Sequence, residues 1–252
     1  MIEPKDLSQI TLEPMFVDAC IMGWPKSNER NAKVKLNYRS LIKNPAGEKL
    51  ESGYFAGVGS MEPGIHLHWI LPDQYTHGIQ KEEQGEMIYP VVPNRWMITR
   101  LSYVDDEKMQ MKKKTWIVES DVIRKTGSIY ESSMIEVTDT AQPYRYLGCE
   151  YEYEGKTTSD IEHYPGMTAV SSGLPYFNAY YPECQHVFGF CDTCEDLAEA
   201  TVMSPVKLMY VVCGWWEKNQ ETSLHVMLHG CVTDLQWTGN ETEYESGVPR
   251  ID

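Results

Sequence analysis

Histidines alternating with apolar residues can present two imidazoles on one face of a β-strand, and Gly64-Ile65-His66-Leu67-His68-Trp69-Ile70-Leu71 has that pattern. Ile65, Leu67, Trp69 and Leu71 share one face, His66 and His68 the other. At the rise of a strand the two histidine Cα atoms stand about 7 Å apart, which lets both rings reach a single metal ion. Asp73 lies five places beyond His68 and His77 four places further, so His66, His68, Asp73 and His77 form a candidate metal set.

A metal-dependent, cupin-like enzyme would place a carboxylate near the position of Asp73 and add a histidine from a later strand. Pro72 interrupts the strand before Asp73, the glycine spacing ahead of His66 differs, and no second motif of that kind follows. The other reading has both histidines hydrogen-bonded within a half-buried sheet.

Cys184, His186, Cys191 and Cys194 bring three thiols and an imidazole into eleven residues, a donor set that suits tetrahedral zinc. Such sites draw ligands from separated parts of a chain. These four would have to wrap around Val187-Phe188-Gly189-Phe190, which reads as buried strand. Cys191 and Cys194 also have the spacing of a redox pair ahead of a short helix, but Asp192, Glu195 and Asp196 disfavour a nearby thiolate. Ordinary reduced thiols are the remaining reading. His225 and His229 have the spacing of a metalloprotease helix, yet no Glu follows His225 and Gly230 ends the segment, so core or turn histidines are expected.

In Pro93-Asn94-Arg95-Trp96, the proline fixes φ at a strand entry, Asn94 suits the turn and Trp96 enters the core. Arg95 can then satisfy carbonyls or a carboxylate, or bind a ligand. Tyr144, Tyr146, Tyr151, Tyr153, Tyr176, Tyr180 and Tyr181, with the tryptophans, could line a carbohydrate-binding module or simply cover sheet faces.

The elements that must position these residues are short alternating runs at 15–22, 33–41, 65–71, 96–104, 115–119, 206–216 and 231–237, which predict strands. Gly- and Pro-containing turns separate them. Helical patterns are few: 192–201 is the best, with weaker ones from Asp18 onward and at 221–228. The expected fold is mainly β, an antiparallel sandwich or barrel-like unit with few short helices. It spans 1–252 as one β-rich unit, with 152–164 as an internal boundary or long loop.

Composition narrows the function classes. The chain has 252 residues, 42% hydrophobic and 23% charged, enough for a substantial core. Its 22 basic residues against 37 acidic ones give a net charge of −15, which repels a phosphate backbone, so no nucleic acid is expected as a partner. Lys112, Lys113 and Lys114 follow Asp105, Asp106 and Glu107 and read as a solvated hairpin tip. The N-terminus has no basic region followed by an apolar stretch, and no run approaches the roughly 20 apolar residues of a membrane span. Seven cysteines, an odd number, fit reduced thiols and a cytoplasmic location.

The first block continues through Pro72-Asp73, Thr76-His77-Gly78, Tyr89-Pro90-Val91-Val92-Pro93-Asn94-Arg95-Trp96 and Arg100-Leu101. It resembles the N-terminal region of large uncharacterised bacterial proteins. The likeness extends to Ala179-Tyr180-Tyr181-Pro182, Val187-Phe188-Gly189-Phe190, Val212-Cys213-Gly214-Trp215, His229-Gly230, Leu235-Gln236-Trp237 and Gly247-Val248-Pro249, with Cys191 standing where the pattern has His. The resemblance implies the front part of a longer protein and carries no activity with it. A structural or protein-interaction module is therefore expected, partnered by further domains of the same longer chain or by other proteins. No cofactor is expected on this reading; a single metal ion belongs to the cupin-like alternative.

Overall fold

The computed structural model describes residues 10–22, 34–35, 60–61, 64–80, 85, 87–104, 111–124, 134–136, 144–153, 162–169, 184–197, 206–217 and 226–237. In chain order the strands are β1 (Thr11–Pro14), β2 (Phe16–Met22), β3 (Val34–Lys35), β4 (Ser60–Met61) and β5 (Gly64–Ile70). A short helix α1 (Asp73–Thr76) precedes β6 (Ile79–Gln80), β7 (Met87–Ile88), β8 (Arg95–Val104) and β9 (Met111–Arg124). There follow β10 (Met134–Glu136), β11 (Tyr144–Glu152), β12 (Gly189–Asp192), β13 (Val206–Trp215) and β14 (Val226–Trp237). The protein is mainly β, as its alternating runs require.

A seven-stranded sheet has the order β1-β14-β13-β8-β9-β11-β10, and a three-stranded sheet, β12-β5-β2, packs on it as in a sandwich. Pairing is antiparallel except where β1 runs parallel to β14, which makes the larger sheet mixed. No closure into a barrel occurs among the described strands. Met15 is the switch point between the sheets: its N–H donates to the His229 carbonyl at 2.8 Å, and the next residue begins β2 of the smaller sheet.

Inward residues follow the period of two. Along β13 they are Val206, Leu208, Tyr210 and Val212; along β8, Trp96, Ile98, Arg100 and Ser102. From the smaller sheet, Val17, Ile65, Leu67 and Trp69 meet them. Trp69 and Trp96 are 1% and 0% exposed and tilt against each other with ring centroids 5.1 Å apart. Phe188 stands edge-on to Trp96 at 6.1 Å. The polar end of Trp96 is satisfied as well, Nε1 donating to Ser120 Oγ at 2.8 Å and that hydroxyl donating to the Val187 carbonyl at 2.6 Å. Gly214 is required by this packing, since a Cβ there would lie 2.2 Å from the Trp96 ring.

Several local expectations change in the tertiary context. The helix expected over 192–201 is reduced to a single 3-10 turn at Glu195–Leu197 among its described residues, with Asp192 closing β12. Cys194 adopts φ 53°, a left-handed conformation that interrupts a right-handed helix. Val226–Leu228, read as the end of a helix, are strand, held between β13 and β1, while 221–225 lie outside the described residues. The residues from Asp18 onward are likewise strand, paired with β5. Lys112, Lys113 and Lys114 sit within β9 and not at a hairpin tip, the first two exposed. Val187 and Phe188 form a turn ahead of β12. Of the 152–164 stretch, 154–161 lie outside the described residues, and 162–164 return to β9 through the Val122 and His163 bridge. No helix among the described residues is long and apolar enough to cross a membrane.

The two-tryptophan contact should dominate stability. Trp69→Ala or Trp96→Ala is expected to cost about 3–5 kcal/mol in urea denaturation. Losses below about 1 kcal/mol, the size of an ordinary substitution, would place the packing centre elsewhere.

Candidate functional site

The smaller sheet separates its two faces cleanly. β5 is its central strand, so Ile65, Leu67 and Trp69 enter the core between the sheets while His66 and His68 lie on its other face. β12 is antiparallel to β5 with Cys191 opposite His66 and Gly189 opposite His68. On the other side β2 places Cys20 opposite His66, Asp18 opposite His68 and Phe16 opposite Ile70. The outer face therefore has one row of Cys20, His66 and Cys191 and a neighbouring row of Asp18, His68 and Gly189. His66 is buried, His68 and Cys191 are half-buried, and Cys20 is exposed. Cys191 Sγ lies 3.6 Å from His66 Nε2.

The opposite face of β12 enters a buried charge cluster. Phe190 packs on Trp116 at 5.0 Å, and Asp192 meets Arg100, an arginine 1% exposed in the middle of β8. Arg100 Nη1 donates to Asp192 Oδ2 at 2.7 Å, and Nη2 donates to Asp196. Tyr210 donates its hydroxyl to Asp192 Oδ2 at 2.8 Å, and the Cys194 amide donates to Oδ1 at 2.9 Å. The guanidinium also lies 5.3 Å from the centre of the Trp116 ring. Burial opposes the charge of Arg100, but Asp192 and Asp196 outweigh it and raise its pKa. Burial and the nearby Asp192 carboxylate push the Tyr210 hydroxyl and the Cys194 thiol well up.

A second cluster surrounds Arg95 on the other face of β8. Arg95 Nη1 donates to Asp121 Oδ1 at 2.5 Å, Nε faces Glu217 at 3.1 Å and Nη2 faces Glu119 at 3.6 Å. Asn94 ties Asp121 to the chain beyond β13, donating to Asp121 at 2.8 Å and accepting from the Glu217 amide at 2.9 Å. His163 Nδ1 lies 3.2 Å from Asp121, and Tyr151 donates to Glu119 at 2.7 Å. Burial and the Glu119 charge push the Cys149 thiol up to about 11. Arg95 thus spends its donors on carboxylates and on the Asn94 carbonyl.

The sequence-derived sets are redistributed. His77 donates its Nδ1 proton to the Asp73 carbonyl at 2.7 Å, so these two close on each other around α1. Cys184 is buried in the core, His186 lies 2.8 Å from Glu150, and Cys194 joins the Arg100 cluster. Cys191 alone of those four faces His66. No disulfide joins any of the seven cysteines. Among the described residues no three His, Cys, Asp or Glu side chains already converge on a point that could hold a metal ion. His229 lies in β14, and His225, Tyr176, Tyr180 and Tyr181 lie outside the described residues. Sequence reasoning missed Arg100 and Asp192, although an arginine at an inward position of an alternating strand was a visible signal. It also missed Asp18 and Cys20, which only the register brings to the histidines.

Comparison with protein-family models, with curated proteins and with solved structures finds no match to this chain.

Two outcomes follow from these clusters. Arg100→Met leaves Asp192 buried without its cation and should cost about 3–5 kcal/mol, whereas Arg100→Met with Asp192→Leu should recover much of that loss. Simple additivity in urea denaturation would mean that the two charges do not depend on each other. Alkaline pH should also unfold the protein. Burial and Glu13, 3.0 Å away, push Tyr75 up to about 12, and Tyr151 and Tyr210 are raised as well. A raised acid pKa means that the folded state holds its proton while the unfolded chain releases it, so stability falls as pH rises above about 10. Tyr210→Phe should make that fall shallower, and a stability flat between about pH 9 and about pH 11 would contradict the account.

Proposed function

We propose that this chain is a structural or protein-interaction module of a longer bacterial protein, without a reaction of its own. The observation that supports it most is the fate of the residues that carry the resemblance. Trp69, Trp96 and Phe188 pack together in the core, while Asn94, Arg95 and Arg100 are tied up in ion pairs and hydrogen bonds. A pattern used in that way encodes a fold. Other parts of the same protein would then dock on its surface, and the outer face of the smaller sheet offers an apolar start. Phe16 and Ile70 are cross-strand partners there, 65% and 43% exposed.

Hydroxyl-radical footprinting of Phe16 and Ile70 in the isolated chain and in the intact native gene product tests this. Protection in the intact protein is expected, and Phe16→Ser with Ile70→Thr should weaken the association without changing the thermal melt of the isolated chain. Equal modification of both residues in the two samples would remove the docking reading.

A further inference from the structure

Residues 11–22 serve the two sheets in turn. Up to Met15 the odd-numbered residues face β14, as the bond from the Met15 N–H to the His229 carbonyl requires. Beyond Met15 the even-numbered residues face β5. The phase follows from Trp69, whose N–H donates to the Phe188 carbonyl at 3.0 Å on the β12 side. Alternate residues of a strand direct their backbone groups to opposite sides, so His66, His68 and Ile70 face β2 and meet Cys20, Asp18 and Phe16 there. Val17, Ala19 and Ile21 therefore direct their N–H and C=O groups away from β5, toward the side that β14 occupies at Met15.

There β14 parts from the segment. Its ladder with β1 ends at His229, and 231–237 continue in pairing with β13, with no backbone bond to 17–21 among the described residues. Two diverging strands thus flank a seam between the sheets. At its narrow end Val17 closes on Gly230, where a Cβ on the glycine would lie 2.5 Å from the valine side chain. Further along, Ala19 and Ile21 from β2 and Val232 and Leu235 from β14 pack against the core yet are only half-buried. Asp18 and Asp234, the sole charged residues of 16–22 and 231–237, are exposed on the rim. The other sheet edges are blunted: β10 has three residues, β12 four, and β1 four with Pro14 among them. β2 has seven residues and neither proline nor lysine.

We propose that this seam takes up an extended segment of a partner protein, one that alternates apolar side chains with basic ones, by adding it as a strand to the free edge of β2. The backbone groups of Val17, Ala19 and Ile21 supply the hydrogen bonds, and the half-buried apolar row receives every second side chain. Asp18 and Asp234 favour basic residues at the positions between. The inference goes beyond the docking reading above, which concerns the Phe16 and Ile70 side chains in the intact gene product. The seam is tested on the isolated chain, so the two fail separately.

The probe is a fluorescent peptide of about seven residues alternating lysine with valine, the length of an ordinary strand. Fluorescence anisotropy should show saturable binding of one peptide per chain, weakened by salt. A central proline in the peptide, or glutamate in place of lysine, should each raise the Kd at least about tenfold, the worth of one or two backbone hydrogen bonds. Ala19→Pro should do the same with an unchanged thermal melt, because the Ala19 N–H faces the seam and takes no part in the β5 ladder. Should that variant fold poorly, the wild type still decides: saturating peptide should slow amide exchange at Ala19 and Ile21, which in the free chain should be faster than at Asp18 and Cys20. Absence of saturable binding, equal affinity for the proline or glutamate peptide, undiminished binding by Ala19→Pro, or unchanged exchange at Ala19 and Ile21 would each overturn the proposal. Slow exchange at both residues in the free chain would overturn it too, with sedimentation showing whether a second copy (a dimer) or the chain itself (a monomer) fills the seam.

Discussion

Arg100 is a cation almost wholly removed from water between two sheets, and its pairing with Asp192 is the constraint on which much of the remaining arrangement depends. Such a pair adds little net stability over apolar residues of equal volume, yet any arrangement that separates its charges leaves one of them buried alone. β12 is only four residues long and lies at the edge of its sheet, paired with β5 alone among the described strands. Its side-chain anchors are therefore decisive. Asp192 to Arg100 and Tyr210 and Phe190 to Trp116 fix which of its faces is inward.

That choice has a consequence on the other side of the strand. Because successive side chains point to opposite faces, a slip of one residue would exchange Asp192 and Cys191. The slipped chain would lose its buried counter-ion and turn the thiol away from His66. The same ion pair that joins the sheets thus keeps Cys191 in the row with His66 and Cys20. Gly64 at the start of β5 leaves no room for error either, since a Cβ there would lie 2.5 Å from the Asp192 carbonyl oxygen.

The Arg95 cluster plays the corresponding part on the opposite face of β8. Arg95 and Arg100 are five residues apart on one strand, so period-two alternation sends them to different sides. Arg100 couples the larger sheet to the smaller one. Arg95 couples β8 to β9 and to the residues after β13 through Glu119, Asp121 and Glu217. Three carboxylates around a single guanidinium leave this cluster acidic, in keeping with the net charge of −15.

Alternation of apolar side chains determined the strands at β5, β8 and β13 and the inward positions of Trp69 and Trp96, because the hydrophobic effect acts on a periodicity that the sequence displays directly. The pairing of His66 with His68 on one face was legible for the same reason. Their surroundings were not. Asp18 and Cys20 lie more than forty residues before His66, and Cys191 lies 125 residues from it, so nothing local links them. Only the ladder of β2 and β12 on β5 brings them together. Local propensity also misjudged 192–197, where Asp192 is held by a cation contributed 92 residues earlier. Local pattern determines which face of a strand is apolar; tertiary structure decides which strands become neighbours, and with them which polar side chains meet, because register is set by the summed packing of both sheets.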